Sequence, residues 1–120
     1  MTEMEAIHKD MVSRLCKKGE EIIDEMTPQQ AHLLHMAIGV AGEAGELLDA
    51  FKKYVIYNKE LDFLNVVEEL GDLEFYMEGI RQELSITRES VLATNHDKLG
   101  KRYKSYVYTD EQAVNRADKS

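Results

Sequence analysis

Two pairs of carboxylates dominate the chemistry of this 120-residue chain: Glu43-Ala-Gly-Glu46 and Glu69-Leu-Gly-Asp72, with 22 residues between them. On a helix, residues three apart project from neighbouring turns toward the same region. Each pair therefore offers two short-reach oxygen ligands on a rigid support. If the carrying helices run antiparallel, the pairs face each other at similar height. Facing acids repel and raise one another's pKa unless cations sit between them. Hard divalent ions take such oxygens, and Mg²⁺ commonly joins carboxylates to waters and phosphate oxygens. Acids at this spacing also occur on ordinary solvated faces. What favours a metal site is the setting, because each pair includes an interior glycine and lies in a mostly apolar segment.

The elements that must position these acids all read as helices. Spacings of three and four dominate, and no alternating run is bounded by turn pairs such as Asn-Gly, so the expected class is an all-α bundle of four to five helices. A first helix is expected over about 3–18, broken near Gly19, with a short continuation to about 25. Thr27-Pro28-Gln29-Gln30 is a strong start signal, with Thr as cap, Pro at the first helical position and Gln three residues after the cap. The helix it opens should run to about 54, followed by a turn over 56–60 that contains Asn58 and a third helix over about 61–84. Ser85 or Thr87 caps a fourth, ending near 100–103, and the tail from about 104 is expected to be irregular. The whole is expected to be one domain, residues 1–120.

On a wheel of about 100° per residue, Leu34, Ala37, Ala41, Ala44, Leu48 and Val55 centre the apolar side of the second long helix. Leu33, Met36, Val40 and Leu47 flank it, so this helix is expected to be mostly buried. Its remaining strip carries His35, Gly39, Gly42, Glu43, Glu46, Asp49, Ala50 and Lys53. On the next helix Val66, Leu70, Leu73, Met77, Ile80 and Leu84 form the apolar stripe, beside a polar face of Asn65, Glu69, Asp72 and Tyr76. Five of the seven glycines (Gly39, Gly42, Gly45, Gly71, Gly79) fall inside these two segments. Each costs about 0.5–1 kcal/mol against alanine, so bare backbone must serve either close helix packing or room for a ligand.

Composition narrows the partners. A net charge of −8, from 23 acidic and 15 basic residues, repels long polyanions and argues against nucleic-acid binding. A small phosphorylated ligand remains compatible when a divalent cation lies between it and the acids. Apolar stretches are interrupted by charge well before the roughly 20 residues of a bilayer span, and the N-terminus lacks a secretory pattern. The lone Cys16 cannot form an internal disulfide, which fits a reducing cytoplasm, and it reads as a small core residue. The six methionines read mostly as gap-filling core.

Taken in order, His35-Met-Ala-Ile-Gly-Val-Ala-Gly-Glu43-Ala-Gly-Glu46-Leu-Leu-Asp-Ala-Phe-Lys and Asn65-Val-Val-Glu-Glu69-Leu-Gly-Asp72-Leu-Glu-Phe-Tyr76 resemble the MazG-like group of all-α nucleoside triphosphate pyrophosphohydrolases. So do Asn95-His-Asp-Lys98-Leu-Gly-Lys101-Arg102-Tyr103 and the tail Asp110-Glu-Gln-Ala-Val-Asn-Arg116. The resemblance implies Mg²⁺-dependent cleavage of a (d)NTP between the α and β phosphates to (d)NMP and pyrophosphate, with Mn²⁺ able to substitute. It also implies a homodimer or homotetramer whose core is completed across subunits. Glu43, Glu46, Glu69 and Asp72 are then the metal-binding and catalytic acids, one of them, Glu43 first, available as general base. Lys98 and Arg102 become candidates for the β/γ phosphates, against the alternative of cations favoured at a helix C-terminus.

Asn95 could hold a phosphate or ribose oxygen or end a turn. His35 could contact base or phosphate, or be structural. Asn65 could orient an acid or read a base, and Tyr76 could stack on a base or pack between helices. Gly42 and Phe75 depart from the group's usual pattern. Alternatives are a relative acting on dUTP/dCTP or phosphoribosyl-ATP, and a non-catalytic helical dimerisation module. A di-iron bundle needs Glu-x-x-His from two helices, and only Glu5/His8 fits.

Overall fold

The structure is a computed structural model that describes residues 1–119. It is all-α, and among the described residues there is no strand. No helix is long and apolar enough to cross a membrane among those residues. The chain forms two compact units, Met1–Ala31 and His32–Ser120.

The first unit holds α1 (Glu3–Leu15) and α2 (Gly19–Glu25). Thr2 and Glu5 form a reciprocal capping box at the start of α1, at 3.1 Å in both directions, which satisfies two otherwise orphaned amides. The chain leaves helical geometry at Cys16, which ends α1 in extended backbone and is exposed; the core placement expected for it is not what the structure shows. Thr27 and Gln30 repeat the capping box at the start of α3 (Pro28–Val55), at 2.9 and 3.1 Å.

In the second unit α3 is followed by α4 (Phe63–Glu83) and α5 (Arg88–Arg102). Asn58 takes a left-handed conformation (φ 52°) in the intervening turn, and Asp62 caps α4 through the Asn65 amide at 3.1 Å. Ser85, at φ 54°, terminates α4, while Thr87 caps α5 by accepting from the Ser90 amide at 3.0 Å. The tail expected to be irregular is instead ordered. A 3₁₀ turn (Lys104–Tyr106), a short α6 (Asp110–Asn115) and a final 3₁₀ turn (Ala117–Lys119) fold back on α5. Arg102 fastens this return through a two-pronged ion pair with Asp118.

Packing of α3 differs from the wheel-based expectation. Met36 and Ala50 are the buried apolar residues of the described chain, with Leu33, Gly39, Val40, Glu43 and Leu47 half-buried on the same side. The centre of the apolar side faces out instead: Leu34 is 55% exposed, Leu48 69% and Val55 68%. One chain can cover only one side of a helix that is apolar over more than half its circumference. The methionine expectation fails similarly, since Met1, Met4, Met11 and Met26 are exposed and Met36 alone is buried.

Close approach of α3 and α4 depends on two glycines. A Cβ at Gly39 would overlap the Tyr76 ring, and one at Gly79 would overlap the Met36 thioether. Gly71 meets nothing within 4 Å. Gly39→Ala should destabilise the protein by about 1–3 kcal/mol, as overpacking does. Gly71→Ala should stabilise it by about 0.5–1 kcal/mol. Urea midpoints at unchanged m-value measure both, and equal effects at the two positions would contradict this packing.

A candidate metal centre of facing carboxylates

Below the Gly39/Tyr76 crossing, α3 and α4 bring three acids together. One carboxylate oxygen each from Glu43, Glu69 and Asp72 lies within 4.8 Å of the others; Glu43 and Glu69 are half-buried and Asp72 is exposed. Glu46, one turn beyond Glu43, is exposed and outside this triad, although its charge is felt at Glu69. The Glu69 Oε2 atom is buried and has no hydrogen-bond partner. A buried carboxylate oxygen normally has one, so this is an unmet demand for a donor or a cation.

The electrostatics follow. The Glu69 carboxyl is pushed up from its ordinary 4.5 to about 7, first by a hydrogen bond shared with Glu43, then by removal from water and by the charges of Glu43, Asp72 and Glu46. A hydrogen bond between two carboxylates needs a proton on one of them, and the Glu69 carboxyl is the one whose pKa lies high enough to keep it toward neutral pH. At the end of α3, Lys53 donates to Asp49 at 2.8 Å and holds that carboxyl below the usual range. Asp49 therefore does not add a free negative charge to the group.

The remaining sequence candidates fall in three places. His35 is exposed on α3, two turns before Glu43, about 12 Å along the axis. Asn65 and Tyr76 are half-buried on α4, one turn before Glu69 and one turn after Asp72. The Tyr76 ring lies against Gly39 and meets Phe75 edge-on at 5.2 Å. Asn95 (exposed), Lys98 and Arg102 (both half-buried) stand on α5. The two cavities beside them are lined by α5 and the tail, and none of the four acids lines either.

Arg102 is not an open cation. Its Nε and one terminal nitrogen donate to Asp118 at 2.7 and 3.2 Å, and the Asp118 side chain is only 3% exposed. The partnership lowers the Asp118 pKa and raises that of Arg102. Sequence reasoning missed Asp118 because it lies 16 positions along the tail from Arg102, with no helical period linking the two; the only available signal was an acid between Arg116 and Lys119.

With this geometry in view, a family model for the MazG nucleotide pyrophosphohydrolase domain matches residues 30–107. The chain belongs to the MazG family. The matched span contains both acid pairs and the Lys98/Arg102 stretch of this MazG protein, while α1 and α2 lie outside it. No curated protein and no solved structure matches the chain.

The raised Glu69 pKa has a signed consequence. Between its ordinary 4.5 and about 7, the folded chain keeps a proton that the unfolded chain has lost. This stabilising contribution is full below the lower value and disappears as pH rises through the upper one. Asp49, Glu78 and Asp118 act oppositely, because cationic partners hold their carboxyls low, so their contribution is lost only toward acid pH. Metal-free protein should therefore lose thermal stability from about pH 5 to about pH 8, and Glu69→Gln should flatten that slope. An unchanged slope in the variant would contradict the raised Glu69 pKa.

Proposed function

We propose that this chain is a Mg²⁺-dependent nucleoside triphosphate pyrophosphohydrolase that cleaves (d)NTP between the α and β phosphates to (d)NMP and pyrophosphate. The observation that carries the reading is the convergence of Glu43, Glu69 and Asp72, with an unpartnered buried oxygen on Glu69, in a MazG chain. The donor set fits the ion: all ligands are oxygens, and the proton that Glu69 keeps toward neutral pH marks a place where a divalent charge would replace it. Glu43, Glu69 and Asp72 would hold the ion, and Glu46 would complete the set from the next turn of α3. Mn²⁺ would substitute, since it takes the same donors.

When bound, the ion neutralises triphosphate charge and lowers the pKa of a nearby water. The chain supplies the rest. Rigid helices fix the acids before substrate arrives, so orientation is not lost to side-chain freedom. In the alternative assignment Glu43 serves as general base instead of ligand and takes the water's proton, while Glu46, Glu69 and Asp72 hold the ion. Lys98, which is in no salt bridge among the described residues, would draw the leaving pyrophosphate, and Asn95 one turn earlier would hold a phosphate or ribose oxygen. Arg102, oriented by Asp118, would add positive charge beside the same phosphates.

We also assign the outward side of α3 to a second copy of the chain, which gives a homodimer or a tetramer built from it. Leu34 and Ile38 (61% exposed) stand at one end of this side and Leu48 at the other, with Ala41 and Gly45 between them. Small residues between large ones let two helices approach closely.

Incubation with a panel of nucleoside triphosphates and Mg²⁺ should release monophosphate and pyrophosphate in equal amounts. Diphosphate with inorganic phosphate, or no product from any nucleotide, would contradict the assignment. Glu43→Gln, Glu69→Gln and Asp72→Asn should each lower kcat on the order of 10²- to 10³-fold, the range seen when one group that stabilises developing charge is removed. Leu34→Asp with Ile38→Asp should shift the mass seen in sedimentation toward one chain, and an unshifted mass would place the interface elsewhere.

A further inference from the structure

Beyond the Gly39/Tyr76 crossing, the α3–α4 pair opens into a cavity of about 350 Å³ lined by His32, Met36, Phe75, Glu78, Gly79 and Gln82. Steps of three and four residues lead to it from the acids: Glu43, Gly39, Met36, His32 on α3 and Asp72, Phe75, Gly79, Gln82 on α4. The cavity and the carboxylates thus share one side of the helix pair. From Asp72 to Gly79, and from Glu43 to Met36, the strip rises about 10 Å. A ribose and the first phosphates cover a span of that order.

The lining specifies what fits. Met36 and the bare backbone of Gly79 make an apolar floor, since the Met36 thioether occupies the space a side chain at 79 would need. Phe75 is 68% exposed, an aromatic wall with no partner beyond the edge of Tyr76. Glu78 accepts from Arg81 Nε at 2.8 Å and from Gln82 Nε2 at 3.3 Å, and Arg81 holds its carboxyl below the usual range, so it stays anionic. A phosphate is repelled there. The Gln82 amide oxygen and the His32 imidazole make no hydrogen bond among the described residues, which leaves acceptors for N–H groups of a neutral ring. Small-molecule sites share this pattern of apolar lining with a few polar groups.

We propose that this cavity seats the nucleobase of the triphosphate, its face against Phe75 and its N–H edge toward Gln82 and His32. The proposal rests on the reading of the acid triad as the triphosphate end of the site. It moves base recognition away from Tyr76, whose ring is taken by Gly39, and from Asn65, which lies on the far side of Glu69.

Calorimetric titration in excess Mg²⁺ with a non-hydrolysable α,β-methylene nucleoside triphosphate, and with inorganic tripolyphosphate as the ligand lacking a base, separates the two ends. Phe75→Ala should weaken the nucleotide roughly tenfold, as loss of one base–aromatic stack does. It should leave tripolyphosphate affinity unchanged. His32→Ala, also at an exposed position, should weaken the nucleotide with the same selectivity. Equal losses for both ligands, or no loss for the nucleotide in either variant, overturn the base site while leaving the acid triad standing. Failure of tripolyphosphate to bind the unaltered protein, or binding that survives Asp72→Asn, overturns the triad reading and the base site with it.

Discussion

Like charges do not gather on adjacent helices without a reason, and the meeting of Glu43, Glu69 and Asp72 is the constraint from which the rest of this molecule follows. Repulsion and burial are answered in the metal-free chain by a Glu69 carboxyl pushed up to about 7, which keeps its proton toward neutral pH. They are answered only in part, because the second Glu69 oxygen is buried without a partner. A divalent ion would replace the proton and satisfy the oxygen at once. The interior glycines belong to the same arrangement. Gly39 and Gly79 bring α3 and α4 close enough for the acids to converge, at a cost in helix propensity that tertiary packing must offset.

Membership of the MazG family and the open side of the α3–α4 pair together give the site a direction. Acids occupy one end, the crossing of Tyr76 over Gly39 stands in the middle, and the cavity beside Phe75 occupies the other. The excess of negative charge in the chain would be compatible with a polyanionic substrate if, as proposed, the triad takes up a cation between itself and the phosphates. The single-chain fold leaves Leu34, Ile38 and Leu48 outside, and the proposed second copy would remove that surface from water.

Much of this was legible before any coordinates. Start and stop signals with a local mechanism read correctly: the Thr27/Gln30 capping box, the turn around Asn58, and a cap for α5 at Ser85 or Thr87, which the structure gives to Thr87. The three-residue spacing of the acids placed Glu43, Glu69 and Asp72 on facing helix surfaces, where they do meet. What failed was whatever depends on three-dimensional neighbours. A helical wheel identifies which side of α3 is apolar but not how much of that side the same chain can cover, so Leu34 and Leu48 were expected inside. Glu46 and Glu43 look equivalent on the wheel, yet a small difference in angle puts one in the cluster and the other in solvent. The Arg102–Asp118 pair and the short tail helices depend on a chain reversal with no periodic signal.

Crystals soaked in Mn²⁺, with data collected at the manganese absorption edge, test the central claim most directly. An anomalous peak between the carboxylates of Glu43, Glu69 and Asp72, with a Glu69 oxygen as a ligand, is the result this account predicts. Manganese bound elsewhere on the chain while those three carboxylates remain unliganded would contradict it.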